Sequence, residues 1–364
     1  MGMDLVLLDD TTRRVTGSVG FWDSLIWTER YNDLGEFQLK TPYVSYGMNE
    51  LIKGKYIGIR QSEQPMRIET QVIDIDDDGK EILTVSGRAM ECVLEDRTNL
   101  NAIAAIGTTT ATASYTTTNV QLAIFNLLKD HINGAAVLPL IDDKIDEITI
   151  ESEFTEATSP GYTLAITRGE LYATIQPLLE QTNYGLRGIR AKGTDSGFII
   201  SLYKGSDKTS TVIFRTAQGH IKVKSYLFSI KDSKTEVYIQ TIYGAAFGSI
   251  PGIVGSPSGV DRRVLYVDGS DIDTAAGAPL TAMMKQKGQS ELLKHKKINT
   301  FDFEVLPNIP YVFGTDYYLG DLIRVEADYG LSQNMRVSEF IRTEDEQGYR
   351  EFPTLVEDIP AEYV

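Results

Sequence analysis

Residues Phe21–Pro42, FWDSLIWTERYNDLGEFQLKTP, decide the fold. Val19, Phe21, Leu25 and Trp27 share one parity, the period-two spacing of a half-buried strand. Asn32-Asp33-Leu34-Gly35 supplies turn chemistry, Glu36 to Lys40 resumes the alternation, and Pro42 ends it. The stretch predicts a β-hairpin. No group in it is suited to chemistry, so its expected use is one wall of a β-barrel.

Residues 51–97 continue as strands. Tyr56–Ile59 and Met66–Ile75 flank a polar turn at Gln61–Pro65, and Ile82–Val85 follows Asp76-Asp77-Asp78-Gly79-Lys80, where Asp-Gly supplies the positive φ of a tight hairpin. The spacing Asp74-x-Asp76-x-Asp78-Gly79 also matches the first half of a calcium loop. Such a loop needs a bidentate Glu at its twelfth position, where Val85 stands, and its flanks should be helical rather than alternating. A turn is therefore expected, with weak cation binding at Asp76–Asp78 left open. Across Ser86–Arg97 the apolar spacing shifts to three and four, which predicts a short amphipathic helix.

The Thr/Ala/Ser run Thr108–Thr118 has neither period and reads as a loop, with an extended course left open. Val120, Ala123, Ile124, Leu127, Leu128 and Ile132 predict a helix, capped by Asn119 or Thr118 and stopped at Asn133-Gly134. A capping box, Thr167-Arg168-Gly169-Glu170, opens a second helix carrying Leu171, Ile175, Leu178 and Leu179, which Pro177 should kink or split. With strands at Tyr184–Ala191 and Phe198–Tyr203, residues 98–209 read as a small α/β unit. Strands return at Phe214–Val223 and Tyr226–Ile239, and the Gly, Pro and Ser of 246–261 predict an exposed loop or boundary. A helix from Pro279 carries Met283, Met284, Leu292 and Leu293, interrupted at Gly288. Strands at Phe301–Leu306, Tyr317–Val325, Met335–Ile341 and Phe352–Leu355 complete the chain.

With 364 residues, two to four compact units are expected. No apolar run approaches the roughly 18 residues that a membrane span needs. Met1–Asp10 lacks the basic start and small-residue cleavage site of a secretory leader, so none is expected. Cys92, the one cysteine, lies among apolar neighbours and reads as a buried, inert thiol, in keeping with assembly in a reducing cytoplasm. A formal charge of −16 argues against nucleic-acid binding by phosphate neutralisation, but not against a surface past which DNA slides. The basic cluster Lys285, Lys287, Lys294, His295, Lys296 and Lys297 reads as a solvated helix end.

Signatures of catalysis are absent. His131, His220 and His295 share no ligand spacing, and His131 suits the C-terminal dipole of its helix. The sequence has no Gly-x-Ser-x-Gly elbow, phosphate-cradling loop or dinucleotide fingerprint. A glycosidase pair among 51 carboxylates would be defined in space, not by spacing along the chain. Trp22 and Trp27 could stack a sugar, yet five residues apart they point to opposite strand faces, so at least one is expected in the core. No catalytic, cofactor-binding or metal-ligating residue is assigned.

Several phrases together resemble the tail-hub proteins of long-tailed phages, which are similar to the central baseplate hub of contractile tails. They are Asp9-Asp10, Val19-Gly20-Phe21, Ser24 to Tyr31, Gly35 to Leu39, a glycine-arginine, leucine, arginine signature within Ser86–Arg97, Arg262 to Ile272, and Gly320-Asp321 with Asp328-Tyr329-Gly330. The glycine turn at Gly219 leading to the aromatic strand at Tyr226–Ile230 also matches, although Thr235-Glu236 stands where an asparagine is usual. The resemblance implies an α+β, β-rich fold. Two antiparallel β-barrel tube domains, 1–97 and 210–245 with 298–364, would carry inserted domains 98–209 and 246–297. It implies a non-enzymatic homotrimer at the distal end of the virion tail, around passing DNA. Its partners would be distal tail, tail tube, tape-measure and tail-tip or receptor-binding proteins. Some relatives continue into a wall-degrading domain, for which nothing after the hub remains before Val364. The competing expectation is a glycan- or calcium-binding β-rich adhesion module.

Overall fold

The N-terminal segment supplies β1 (Leu5–Leu8), β2 (Val15–Ser18), β3 (Ser24–Arg30), β4 (Glu36–Pro42), β5 (Tyr56–Ile59), β6 (Met66–Ile75) and β7 (Glu81–Ala89). In the computed structural model the described residues are 2–43, 51, 52, 54–75, 79–98, 113–117, 120–133, 144–152, 162–166, 169–191, 196–242, 244–249, 258–270, 272, 280–306, 310–328 and 332–358. The expected hairpin is β3 against β4, in register from Ser24↔Lys40 to Thr28↔Glu36. Leu25, Trp27, Phe37 and Leu39 face inward, while Ile26 on the other parity is exposed. Phe21 departs from its expected parity and is exposed, because the strand begins at Ser24. Gly79 has the expected positive φ, whereas Asp76–Asp78 lie outside the described residues.

A 3-10 helix, Met90–Leu94, follows β7 where a short helix was expected. Met90, Cys92 and Leu94 pack into the core of the next unit and so tether it to the first. That unit contains β8 (Ala113–Thr117), α1 (Val120–Ile132), β9 (Ile148–Ser152), β10 (Tyr162–Ile166), α2 (Leu171–Thr182), β11 (Gly185–Arg190) and β12 (Phe198–Tyr203). The run Thr108–Thr118, read as a loop or extended stretch, thus holds a strand, since β8 finds its partner in β10, about fifty residues on. In α2 the N-cap is Glu170 with no side-chain cap, and Thr167-Arg168 lie outside the described residues. Pro177 does not split α2. Leu171, Ile175, Leu178 and Leu179 are buried on both sides of it, which offsets the roughly 3 kcal/mol of an interior proline.

The remaining elements are β13 (Ile213–Arg215), β14 (Ile221–Ser229), β15 (Glu236–Thr241), β16 (Gly244–Ser249), β17 (Val264–Asp268), α3 (Leu280–Lys294), β18 (Ile298–Val305), β19 (Leu322–Glu326), β20 (Ser332–Asp345) and β21 (Gly348–Glu357). The strand β15, read in sequence with 210–245, pairs with β16 and β17 in a small separate sheet under α3. β16 occupies residues expected as the start of a loop; 250–257 lie outside the described residues. Gly288 does not interrupt α3. A Cβ there would sit 3.0 Å from a Val237 methyl, so the glycine lets the helix close on β15.

One thirteen-stranded sheet runs β14-β18-β21-β20-β3-β4-β7-β6-β5-β1-β2, with β19 joined to β20 and β13 to β19. Its central seam is β20 on β3, from Glu339↔Arg30 to Glu344↔Leu25, so chain regions more than three hundred residues apart share a ladder. One half encloses a core around Trp27, Leu39, Ile57, Ile68 and Val85. The other encloses Phe214, Phe303, Ile323, Val337 and Phe340. The fold is β-rich α+β, as expected. Among the described residues β2, β13 and β14 end the sheet and neither half closes into a barrel.

Candidate functional site: the junction around Tyr31

At the end of β3, alternation that has placed Leu25 and Trp27 in the core turns Glu29 inward and brings Tyr31 to the meeting point of three units. The Tyr31 hydroxyl donates to the Asn183 carbonyl at 2.7 Å and accepts the Gly205 N–H at 3.2 Å. Its backbone N–H donates to Ser338 and its carbonyl accepts from Leu186. Gly185 and Gly320 lie against its ring, where a Cβ would come within 2.4 and 2.2 Å of ring carbons. Gly320 also has φ +85°, which favours glycine independently. Burial pushes the Tyr31 phenol up to about 12, so it stays a neutral hydrogen-bonding group. Asn183, left-handed at φ 55°, caps α2 with its N–H to Leu179 and aims its carbonyl at Tyr31.

Two charged networks flank this tyrosine. Glu29 and Arg342 form a buried ion pair, and the Arg342 guanidinium stacks 4.7 Å from the Phe340 ring centroid and donates to the Gln61 carbonyl. Arg30 spans Glu339 and Glu36 at 2.6 Å each and reaches the Leu34 carbonyl at 2.7 Å, stitching seam to hairpin. Glu91, wholly buried in the 3-10 helix, accepts from the Gln64 amide at 2.8 Å and from the Gly188 N–H. Burial raises the Glu91 carboxyl to about 6. On the far side Asp321 accepts the N–H groups of Ser206 and Tyr318, and burial raises its carboxyl as well.

A cleft of about 400 Å³ opens between these networks, lined among others by Arg30, Arg60, Glu63, Arg187, Phe313 and Tyr318. The arrangement fixes the mutual position of the units; it presents no activated nucleophile. Cys92 is buried and its thiol is pushed up to about 12 by that burial, the opposite of activation. Among the described residues no three His, Cys, Asp or Glu side chains converge to hold a metal ion. His131 lies 2.9 Å from the Leu127 carbonyl, and His220 lies 3.3 Å from the Ile213 carbonyl with Tyr311 edge-on to its ring.

The other sequence candidates lie elsewhere. Trp27 is wholly buried and Trp22 packs against the same core, so the two do not form a sugar-stacking platform. Of the basic cluster, Lys294 pairs with Glu291 at 2.7 Å and Lys297 with Glu357 at 3.8 Å, while the Lys285 side chain lies outside the described residues. The residues that organise the junction were missed in the sequence. A signal existed: Glu29 continues the core parity of Leu25 and Trp27, and Arg342 that of Phe340, so each is a charge at an apolar position.

The whole architecture has counterparts. The prophage MuSo2 43 kDa tail protein of Shewanella oneidensis is 16% identical, with 97% of this chain and 98% of that one covered at a TM-score of 0.56. A tail protein of Neisseria meningitidis MC58 is 13% identical, with 98% and 97% covered at 0.55. Prophage tail protein gp18 of Listeria monocytogenes EGD-e is 12% identical, with 98% and 95% covered at 0.53. At such identities the shared property is the fold. None of the curated proteins matches the sequence. The description "Siphovirus ReqiPepy6 Gp37-like protein" matches residues 5–354, nearly the full length, and the chain belongs to that family.

Proposed function

We propose that the protein is a structural component of a long-tailed phage tail, forming the distal hub around the passage for DNA. The observation that carries this reading is the end-to-end match of fold and family. The two cores of the large sheet support two tube units, 1–97 and 210–245 with 298–364, the strand β15 going instead with the projecting segment 246–297. Residues 98–209 would project from the first. Three copies then present six similar units, and neighbouring tail proteins dock on the outside.

Charge fits this use. Three times −16 gives −48, and duplex DNA carries one negative charge per about 1.7 Å, so an acidic lining lets it pass where a basic one would hold it. On this reading the lumen bears more Asp and Glu than Lys and Arg, and Lys285–Lys297 faces outward. No helix among the described residues is long and apolar enough to cross a membrane. Native mass spectrometry of the purified chain, with proteomics of purified virions, tests the proposal. A trimer present in virions supports it; a chain absent from virions overturns it.

A further inference from the structure

Not every arginine follows the electrostatic pattern of the molecule, and two that depart from it share one cleft. In a chain of formal charge −16, arginines such as Arg30, Arg67, Arg88, Arg215 and Arg336 meet carboxylates. Among the described residues, the guanidiniums of Arg60 and Arg190 have no hydrogen bond, ion pair or ring contact. Both line one cleft of about 820 Å³, with Arg14, Val15, Ser62 and Glu63.

The walls of this cleft are built. Arg60 follows β5, and Arg190 ends β11 of the inserted unit. Arg13, at φ 58°, lies 4.9 Å from the Tyr56 ring centroid, 5.2 Å from that of Phe198 and 3.8 Å from Glu147. A left-handed arginine costs energy, and here its contacts with Tyr56 of β5 and with Phe198 and Glu147 of the inserted unit hold it and fix the turn before β2. β2 is also a terminal strand of the sheet. Val19 donates to Leu5, so antiparallel alternation points the N–H of Ser18 away from β1, and Ser18 is exposed.

We propose that this cleft binds an acidic, extended protein segment, which adds a strand to the open edge of β2 and sets its carboxylates against Arg60 and Arg190. Strand addition supplies main-chain hydrogen bonds, and the guanidinium forks supply selectivity for carboxylate. Guanidiniums such as those of Arg30, Arg88 and Arg336 are already paired with carboxylates of this chain, whereas those of Arg60 and Arg190 are open to an incoming acidic segment. The inference holds whatever place in a tail the chain takes.

The test uses the full-length chain and a fluorescein-labelled hexapeptide, Val-Glu-Val-Asp-Val-Glu, followed by fluorescence anisotropy and hydrogen-exchange mass spectrometry. Saturable binding is expected, with slower exchange over Val15–Ser18. Arg60→Glu with Arg190→Glu should weaken it by at least about tenfold with unchanged circular dichroism, and Arg60→Gln with Arg190→Gln should fall between. No binding at millimolar peptide would overturn the proposal. So would equal binding by the charge-reversed variant, unchanged exchange in β2, or tighter binding of a lysine-substituted peptide or of duplex DNA.

Discussion

The two halves of the large sheet reach similar cores by different routes. The half around Trp27 is built within one stretch, residues 5–89, from the hairpins β1-β2, β3-β4, β5-β6 and β6-β7, joined by the longer-range pairings Leu5↔Ile59 and Glu36↔Arg88. The half around Phe214 is assembled from β13, β14 and β18 to β21, with the small sheet and α3 intervening between β14 and β18. The first half can complete its pairing within one uninterrupted segment, whereas the second must close across the inserted small sheet and α3. Tyr31, Glu29 and Arg30 lie at the boundary and bind the halves together.

The largest expected effect separates the halves. Trp27→Ala should cost about 3–5 kcal/mol, read as a lower urea midpoint, and amide exchange should rise in β3, β4 and β7 before β18 and β21. Equal loss of protection in both halves would show a single cooperative core. Next comes the junction: Glu29→Gln leaves Arg342 buried without its partner and should cost about 3 kcal/mol. The cost lies toward the lower end of the range because Arg342 keeps its stacking on Phe340 and its bond to Gln61. A double-mutant cycle with Arg342→Met should recover much of it, and additive losses would contradict a coupled pair.

Glu91 gives a smaller, pH-dependent effect. Its folded carboxyl titrates near 6 against an ordinary value of 4.5, so the native state holds the proton more tightly. Its stabilising contribution is present below pH 4.5 and is lost as pH rises through 6, a span of about 2 kcal/mol. Glu91→Gln should flatten stability between those pH values, measured as the difference in urea midpoints between variant and parent. An unchanged slope would place the titration elsewhere. The smallest effect is at Arg30, whose partners are part-exposed: Arg30→Lys should cost under about 1 kcal/mol of thermal stability, while loss of the seam would signal a bidentate role that lysine cannot fill.

How much was legible follows the same division. The hairpin 21–42 and the helix 120–132 could be read because their periods are carried by neighbours in sequence. The pairing of β20 with β3 could not, since nothing local in either strand names its partner. Strand β8 was hidden because a run of small and β-branched residues shows no amphipathic period until β10 covers it. Gly288 was misread as a break because its use lies across the packing interface, against Val237. At the junction, Glu29 and Arg342 followed core parity but contradicted core chemistry, and the conflict is resolved by a partner more than three hundred residues away. Tyr31 gave no such sign, because its role comes from two glycines and two backbone groups supplied by other units.

The central claim, that this chain forms a hub around a DNA passage, is tested most directly by a cryo-EM map of the distal tail of intact virions. The account predicts three copies of the fold in a ring, with Asp and Glu outnumbering Lys and Arg along the lumen and Lys287–Lys297 on the outer surface. A map placing the chain off the tail axis, or with that lysine cluster lining the passage, would contradict it.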